Sequence, residues 1–594
     1  MGELNTPPFY KLLNKKNKHM PTTKKTNFSI WNVNQLNNGK ITLEFSLTKI
    51  PLWMKEFGFQ MISTISQSGD KSYILIKINK KDNTISVIKS SDDFKDWMST
   101  HFKNTSNTQF CKGGIYHSTD TNGNDIPNMR DKVLGLIMKS GKTVCNNIIN
   151  DNKTFIIPFN KEILSDSKGE VYMNFSNGVV KVTKSDTEFL DSTMLKNKFR
   201  YLDSLIHKNP QIQNFNGNID LNSNIGESKF ELFCKMATSK KINNNINTKP
   251  IYGVDYEYSD DDMKTLMSGI GYLCSNYKEG GKSKLVLFQD RYMDNNSRQG
   301  RNGKTVIANT LLRFIKGVMI PADKVDLKDQ FAFNSVNYGD KIIFFDEILP
   351  KKKFVETLFN EVNNFLNVRK LYQGTFTLSG QNLPKFLGCS NFMVWNPKEM
   401  SQSERIHCVE FSDFFNKNAM YGGEITDYFG GKWIFEDMDD TEWNKFFNFI
   451  IKCIQLFLSN GFHKHPNPLY KSNTNLLIQH FSSVDKSILN WIDDYLKGER
   501  VSGKHFDKDL APFRDVLFEK MKSSVGSQTV SMSGLEESKF AQLLLDVCNI
   551  LGYEFNPTQK HNGNTMNNRK LQRRDIMSGK TKYVIHIVHP SELV

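Results

Sequence analysis

An apolar run, Leu285-Val286-Leu287-Phe288, leads through a polar loop into Gly300-Arg301-Asn302-Gly303-Lys304-Thr305, and Val306 to Phe314 follows with helical character. Strand, glycine-bearing loop and helix in that order predict an α/β domain, and the alternation of short apolar strands with helical stretches over 260–460 predicts that its sheet is parallel. The loop lies where a phosphate-binding loop must lie. Its glycines, Gly300 and Gly303, let backbone N–H groups converge on phosphates at a helix N-terminus. Lys304 is then expected to contact the β- and γ-phosphates of ATP, and the Thr305 hydroxyl to ligate magnesium. The full pattern G-x4-G-K-[ST] has Arg298 where its first glycine stands, with Gly300 available to supply flexibility. A G-x-x-G-K-T string by itself also arises by chance.

Three later stretches supply what such a loop needs. Lys341-Ile342-Ile343-Phe344-Phe345-Asp346-Glu347 is an apolar strand ending in two acids, with Asp346 lying 42 positions after Lys304. Asp346 is expected to hold magnesium through its water shell and Glu347 to polarise the attacking water. The alternative is a strand capped by surface acids. Phe386-Leu387-Gly388-Cys389 ends at Ser390-Asn391, 45 positions beyond Asp346, and an amide there can orient the lytic water and sense the γ-phosphate. Ser403-Glu404-Arg405 then precedes the strand Ile406 to Phe411, so that Arg405 can act as an arginine finger on a neighbouring subunit's nucleotide.

The succession GRNGKT, IIFFDE, FLGCSN and SERIHCVEF resembles motifs A, B and C and the arginine finger of superfamily 3 helicases. More narrowly, it is similar to the poxvirus-type primase-helicase ATPases and their phage and plasmid relatives. The resemblance covers about 265–415 and extends more weakly to the preceding hairpin region and the C-terminal tail. It implies an AAA+ ATPase using magnesium and ATP, a hexameric ring, and 3′-to-5′ translocation on single-stranded DNA. The replicative helicase of a phage, virus or plasmid, acting in the host cytoplasm on single-stranded and forked DNA beside an initiator, primase or polymerase, is the function it implies. Residues 369–385, basic and aromatic around glycine turns, fall where that family carries its pore hairpin. Lys370 and Lys385 are the expected DNA contacts, with a solvated charged loop as the alternative.

Composition agrees with a polyanionic partner without proving one. Lys and Arg number 78 against 63 Asp and Glu, a formal charge of +15, and cations that neutralise phosphates release condensed counterions. A solvated lysine surface explains the same excess. Eight scattered cysteines show no zinc spacing and read as reduced, mostly buried thiols. The absence of any long apolar run predicts a protein that neither spans a membrane nor is secreted. Met1-Gly2-Glu3-Leu4-Asn5-Thr6 fits a loose myristoylation pattern of the kind that recurs by chance. Two rival functions stay open: a P-loop ATPase that remodels or loads replication proteins, and an origin-binding protein whose ATPase is degenerate at Arg298.

The rest of the chain divides into a flexible basic arm (1–27), a small α+β domain (28–125), a helicase-associated domain (126–255), the ATPase domain (260–460) and a winged-helix-like tail (475–594). Hairpins are expected at Ser72–Ile78 with Thr84–Ile88, and around Asn177-Gly178, where Asn-Gly between two strand-like runs is a strong turn signal. No D-x-D pair suited to a two-metal primase stands out before residue 250. Asp260-Asp261-Asp262 is expected to cap a helix starting near Met263, and His463 and His465 are read as surface histidines rather than metal ligands.

Overall fold

The computed structural model describes residues 27–65, 71–88, 90–150, 158–191, 194–195, 198–206, 212, 214–221, 226–243, 248–279, 283–291, 300–349, 353–362, 364–370, 375–395, 400–416, 424–436, 438–469, 477, 481, 484–499, 512–556, 560–561, 564–565 and 572–588. The myristoylation pattern, nearly all of the basic arm, Arg298 and the hairpin tip 371–374 lie outside them.

The chain opens with a hairpin of β1 (Trp31–Gln35) and β2 (Ile41–Phe45), then α1 (Ile50–Glu56), and a meander of β3 (Phe59–Ile65), β4 (Lys71–Asn79) and β5 (Thr84–Val87). The turn between β4 and β5 closes through Asn83 at φ 49°, a left-handed conformation that asparagine tolerates. Helices α2 (Ser91–Asn104) and α3 (Met129–Asn150) pack over the meander around a core of Trp31, Trp53, Phe94, Phe102 and Tyr116. α2 starts where it does because the Ser90 hydroxyl accepts the Asp93 N–H at 3.1 Å.

Five short strands follow: β6 (Glu162–Ile163), β7 (Val171–Asn174), β8 (Val179–Val182), β9 (Thr187–Leu190) and β10 (Lys198–Tyr201). β7 and β8 form the hairpin expected at Asn177-Gly178, closed by the Phe175 N–H to the Gly178 carbonyl at 2.9 Å. β10 runs parallel to β5 and to β6, so that one sheet has the order β3-β4-β5-β10-β6. The boundary expected at 125/126 is therefore crossed by hydrogen bonds between strands, a pairing over more than a hundred residues that no local pattern announces.

Next come α4 (Lys229–Ala237), the small pair β11 (Lys240–Lys241) and β12 (Tyr256–Glu257), and α5 (Asp260–Cys274). α5 begins three residues before Met263, so the three aspartates form its first turn beside the N-terminal dipole, while Asp262 turns inward to pair with the buried Arg291. α5 lies directly on the long helix Asp440–Asn460: a Cβ on Gly271 would stand 2.2 Å from the Cys453 carbonyl oxygen.

The central sheet holds β13 (Leu285–Asp290), followed by α6 (Lys304–Phe314), then β14 (Gly317–Pro321), β15 (Ile342–Asp346), α7 (Phe354–Glu361), the hairpin β16 (Phe365–Arg369) and β17 (Thr375–Ser379), β18 (Lys385–Ser390), α8 (Met400–Ser403) and β19 (Ile406–Phe411). Its order is β14-β15-β18-β13-β19, with every pair parallel. Alternate residues serve two cores. Val286, Phe288, Ile342, Phe344, Leu387 and Val409 pack with α4, α5, α6 and the helix Asp440–Asn460. Leu285, Leu287, Ile343, Phe345, Phe386 and Cys408 pack on the other side with Ile74, Ile76, Ile78 and the β16–β17 residues Leu366, Val368 and Leu378. Burial on both faces is why these strands read as unbroken apolar runs rather than alternating ones.

The tail has its own core. Helices Lys486–Asp494, Arg514–Val525, Ser527–Met532 and Glu537–Leu551 enclose Leu489, Leu517, Met521, Phe540 and Leu544. The strand Glu554–Phe555 pairs with Ile587–Val588, and Gln572–Arg574 with Thr581–Tyr583. All eight cysteines are free thiols, six of them buried. Among the described residues no helix is long and apolar enough to cross a membrane.

Two buried histidines give a pH prediction. His101, Nε2 at 2.6 Å from the Tyr116 hydroxyl, and His407, whose Nε2 hydrogen bonds the Thr265 carbonyl at 2.8 Å, are each pushed down to about 4 by burial. As pH falls through 6.5 the unfolded chain takes up these protons while the folded one refuses them until about 4. Stability is thus lost across that window, by about 1.4 kcal/mol per pH unit for each histidine. Denaturant melts at pH 7, 5.5 and 4.5 are expected to show the fall, and a smaller one in His407→Gln; equal slopes in the two proteins would reject the assignment for His407.

Candidate functional site

β13 is buried over its whole length and delivers Asp290 to the carboxyl edge of the sheet. α6 returns from that edge with Gly303 as its N-cap at φ 91°. Glycine suits this position on two counts: the left-handed backbone strains a residue with a side chain, and a Cβ would lie 2.8 Å from the Phe233 ring. Arg301 is also left-handed, at φ 66°, and the Asn416 amide donates to the Gly300 carbonyl at 2.8 Å. The first turn of α6 therefore opens onto a cleft of about 410 Å³.

Gly300, Arg301, Asn302, Gly303, Lys304 and Thr305 line one wall of this cleft, and Asp346, Glu347, Ser390 and Asn391 line another. β18 lies between β13 and β15, so Asn391 emerges between the loop and the two acids. The Thr305 hydroxyl donates to Asp346 Oδ1 at 3.3 Å, forming a pair of oxygen donors at one point. Burial pushes the Asp346 carboxyl up, opposed by the Glu347 N–H, the Thr305 hydroxyl and Lys304; a cation at that point would favour its ionised form. Glu347 is exposed in the cleft at φ 56°, a left-handed conformation that costs a non-glycine residue on the order of 1 kcal/mol or more.

Lys304 does not project free into the cleft. Its Nζ pairs with Asp290 Oδ1, which also accepts the Asn302 amide at 2.6 Å. The two side chains of the pair are 6% and 2% exposed, so each charge has the other as its ion-pair partner away from solvent. Burial raises the Asp290 carboxyl, and Lys304 and Asn302 draw it back down. Asp290 was not among the residues singled out from the sequence; its signal is an acid closing the strand that feeds the loop. Phe415, stacked on Phe233 at 4.7 Å, and Trp433, half exposed at the cleft, were missed too, because they come from a segment more than a hundred residues away.

Arg405 stands elsewhere. It immediately precedes β19, its carbonyl accepts the Leu285 N–H at 2.9 Å, and its guanidinium lies 5.4 Å from the centre of the Phe359 ring. That is the amino edge of the sheet, roughly 20 Å along a six-residue strand from the edge that carries Lys304. Arg405 cannot reach the cleft of its own chain.

The expected DNA contacts need one correction. Lys385 is the first residue of β18, 1% exposed, with Nζ 2.5 Å from the Tyr272 carbonyl and 3.7 Å from the centre of the Tyr272 ring. Burial and the neighbouring Lys278 hold its pKa well below the ordinary lysine value. A side chain so enclosed cannot grip a nucleic acid strand; the basic residue belongs to the core strand after the hairpin, not to the hairpin. Lys370 remains partly exposed at the hairpin, where its Nζ donates to Asn337 Oδ1 at 2.9 Å. His463 and His465 face the α5 aspartates, at 3.1 Å from Asp261 and 3.5 Å from Asp262.

No family model matches the chain, and no curated protein matches it. A solved structure described as the A form apo structure of NrS-1 C terminal region-CTR is similar at 12% identity, over 91% of this chain and 98% of that chain, with a TM-score of 0.34.

Proposed function

We propose that the chain is a magnesium-dependent ATPase of the AAA+ type and the superfamily 3 kind, serving as a replicative DNA helicase of a phage, virus or plasmid. The observation that carries this reading is the convergence of Lys304, the Thr305–Asp346 pair, Glu347 and Asn391, drawn from three adjacent parallel strands, on one cleft at a helix N-terminus. The residues fit a nucleoside triphosphate: the cleft opens at the first turn of α6, whose N–H groups with Lys304 supply donors for phosphate oxygens. Thr305 and Asp346 would hold a magnesium ion bound with the nucleotide, which would supply neutralisation of phosphate charge. Glu347 then polarises a water and Asn391 orients it. Arg405, remote from its own cleft, acts on that of a neighbouring subunit in a ring. The four helices and basic hairpin of the tail suit a winged-helix domain.

The test is hydrolysis and forked-duplex unwinding by the wild type and by Glu347→Gln. The variant is expected to bind nucleotide and lose turnover by two orders of magnitude or more. A wild type that takes up no magnesium nucleotide in calorimetry ends the motor reading. One observation favours the second reading, an ATPase that remodels replication proteins: Lys385 is buried, which leaves Lys370 as the one partly exposed member of the expected strand-gripping pair. Hydrolysis indifferent to DNA, with no strand separation, would select it.

A further inference from the structure

The hairpin Gln572–Arg574 with Thr581–Tyr583 carries at its turn the two most exposed large apolar side chains among the described residues, Ile576 at 97% and Met577 at 99%. The turn is stiff. Asp575 accepts the Met577 N–H at 3.1 Å and the Ser578 hydroxyl at 2.6 Å, and its own N–H meets the Lys580 carbonyl at 2.7 Å. Lys582 joins Asp575 at 3.2 Å to Asp515 of the helix Arg514–Val525 at 2.8 Å, and the Arg573 guanidinium sits 4.4 Å over the Phe513 ring. The pleat thus spends Arg573 and Lys582 on anchoring, with the Tyr583 ring under the Arg514 guanidinium at 4.8 Å, and leaves Arg574 exposed with exposed Lys580 beside the tip.

Charge selects the partner. Residues 560–583 carry seven lysines and arginines against the single acid Asp575. The helix Glu537–Leu551, which the usual docking of such a domain would lay in a major groove, offers only Lys539 against Glu537 and Asp546. A rigid apolar tip flanked by cations has the chemistry of a wedge that enters between base steps, with phosphates held on either side. We propose that this hairpin, and not the helix, is the tail's contact with base-paired nucleic acid at a junction with single strand. In it Ile576 and Met577 unstack the terminal pair, while Arg574 and Lys580 hold the backbone. This adds a contact to the motor reading and does not require the cleft to hydrolyse ATP.

The experiment uses the full chain with a forked DNA bearing 2-aminopurine at the first base pair, and a single strand of equal length. Wild type is expected to prefer the fork and to raise the 2-aminopurine fluorescence. In Ile576→Ser/Met577→Ser the melting temperature should be unchanged, because both positions are exposed. Single-strand affinity should stay within about twofold, while fork affinity falls about tenfold, the scale of losing one wedge contact, and the fluorescence rise disappears. Arg574→Ala/Lys580→Ala should weaken fork binding and lower the salt slope by about two; Lys539→Ala should change neither. Unaltered fork binding and fluorescence in the apolar double variant overturn the proposal. So does a wild type without fork preference, or an apolar variant whose only change is reduced self-association in sedimentation. Nucleotide binding measured on the same samples reports on the cleft separately, so the failure of either reading is visible alone.

Discussion

Replacing Lys304 by alanine is expected to remove nucleotide hydrolysis and, separately, to weaken the fold. The first loss follows from the phosphates: a donor aimed at charge that develops in the transition state is worth on the order of 10²- to 10³-fold in turnover, about 3–4 kcal/mol. The second follows from Asp290. Lys304 and Asp290 form a pair closed off from solvent, and removing one partner of such a pair leaves a buried uncompensated charge, at about 3–5 kcal/mol. Turnover and denaturant unfolding of Lys304→Ala, Asp290→Asn and the double variant separate the two. Stability should largely return in the double variant because the orphan charge is gone, while hydrolysis should not. A Lys304→Ala protein as stable as wild type would show that the pair contributes nothing to folding. The same pair bears on ligand entry, since Lys304 must share or leave Asp290 to meet a phosphate.

Arg405→Ala is expected to abolish turnover by about 10³- to 10⁵-fold, the range for an arginine finger, with nucleotide affinity held within twofold. The reason is geometric: the guanidinium is anchored at the amino edge of the sheet, on the Phe359 ring, while the cleft opens at the carboxyl edge. Losing the contact with Phe359 removes only about 0.5–1 kcal/mol, so the subunit stays folded. Mixing Arg405→Ala with Lys304→Ala subunits should restore part of the activity, because some interfaces then combine an intact cleft with an intact finger. Full activity of Arg405→Ala alone contradicts the role. Loss of nucleotide binding by a monomeric preparation would place the arginine in its own cleft and contradict the strand geometry as well.

Much of the fold could be read along the chain because its cues are local. The strand runs at 285–288, 342–346, 386–389 and 406–411, the helix after Gly303, and the two hairpins at Asn83 and Asn177-Gly178 all follow from apolar spacing and turn chemistry within a dozen residues. The order of the motifs likewise pointed to one cleft. Lys385 shows the limit: in the chain it follows a basic hairpin, and in the fold it opens a buried strand, because a lysine's environment is set by what packs over it.

By itself, the amino-acid sequence determined the strands of the central sheet, the glycine loop before α6 and the acids and amide that face that loop across the cleft, since backbone preference and hydrophobic period act over short stretches. Tertiary structure alone decided that Asp290 holds Lys304, that Lys385 is enclosed, that β10 ties the two N-terminal segments into one sheet, and that Arg405 faces away from its own cleft. Each of these depends on which distant segments bury one another, and burial, which fixes the value of a charge or an apolar side chain, is a property of the packed whole.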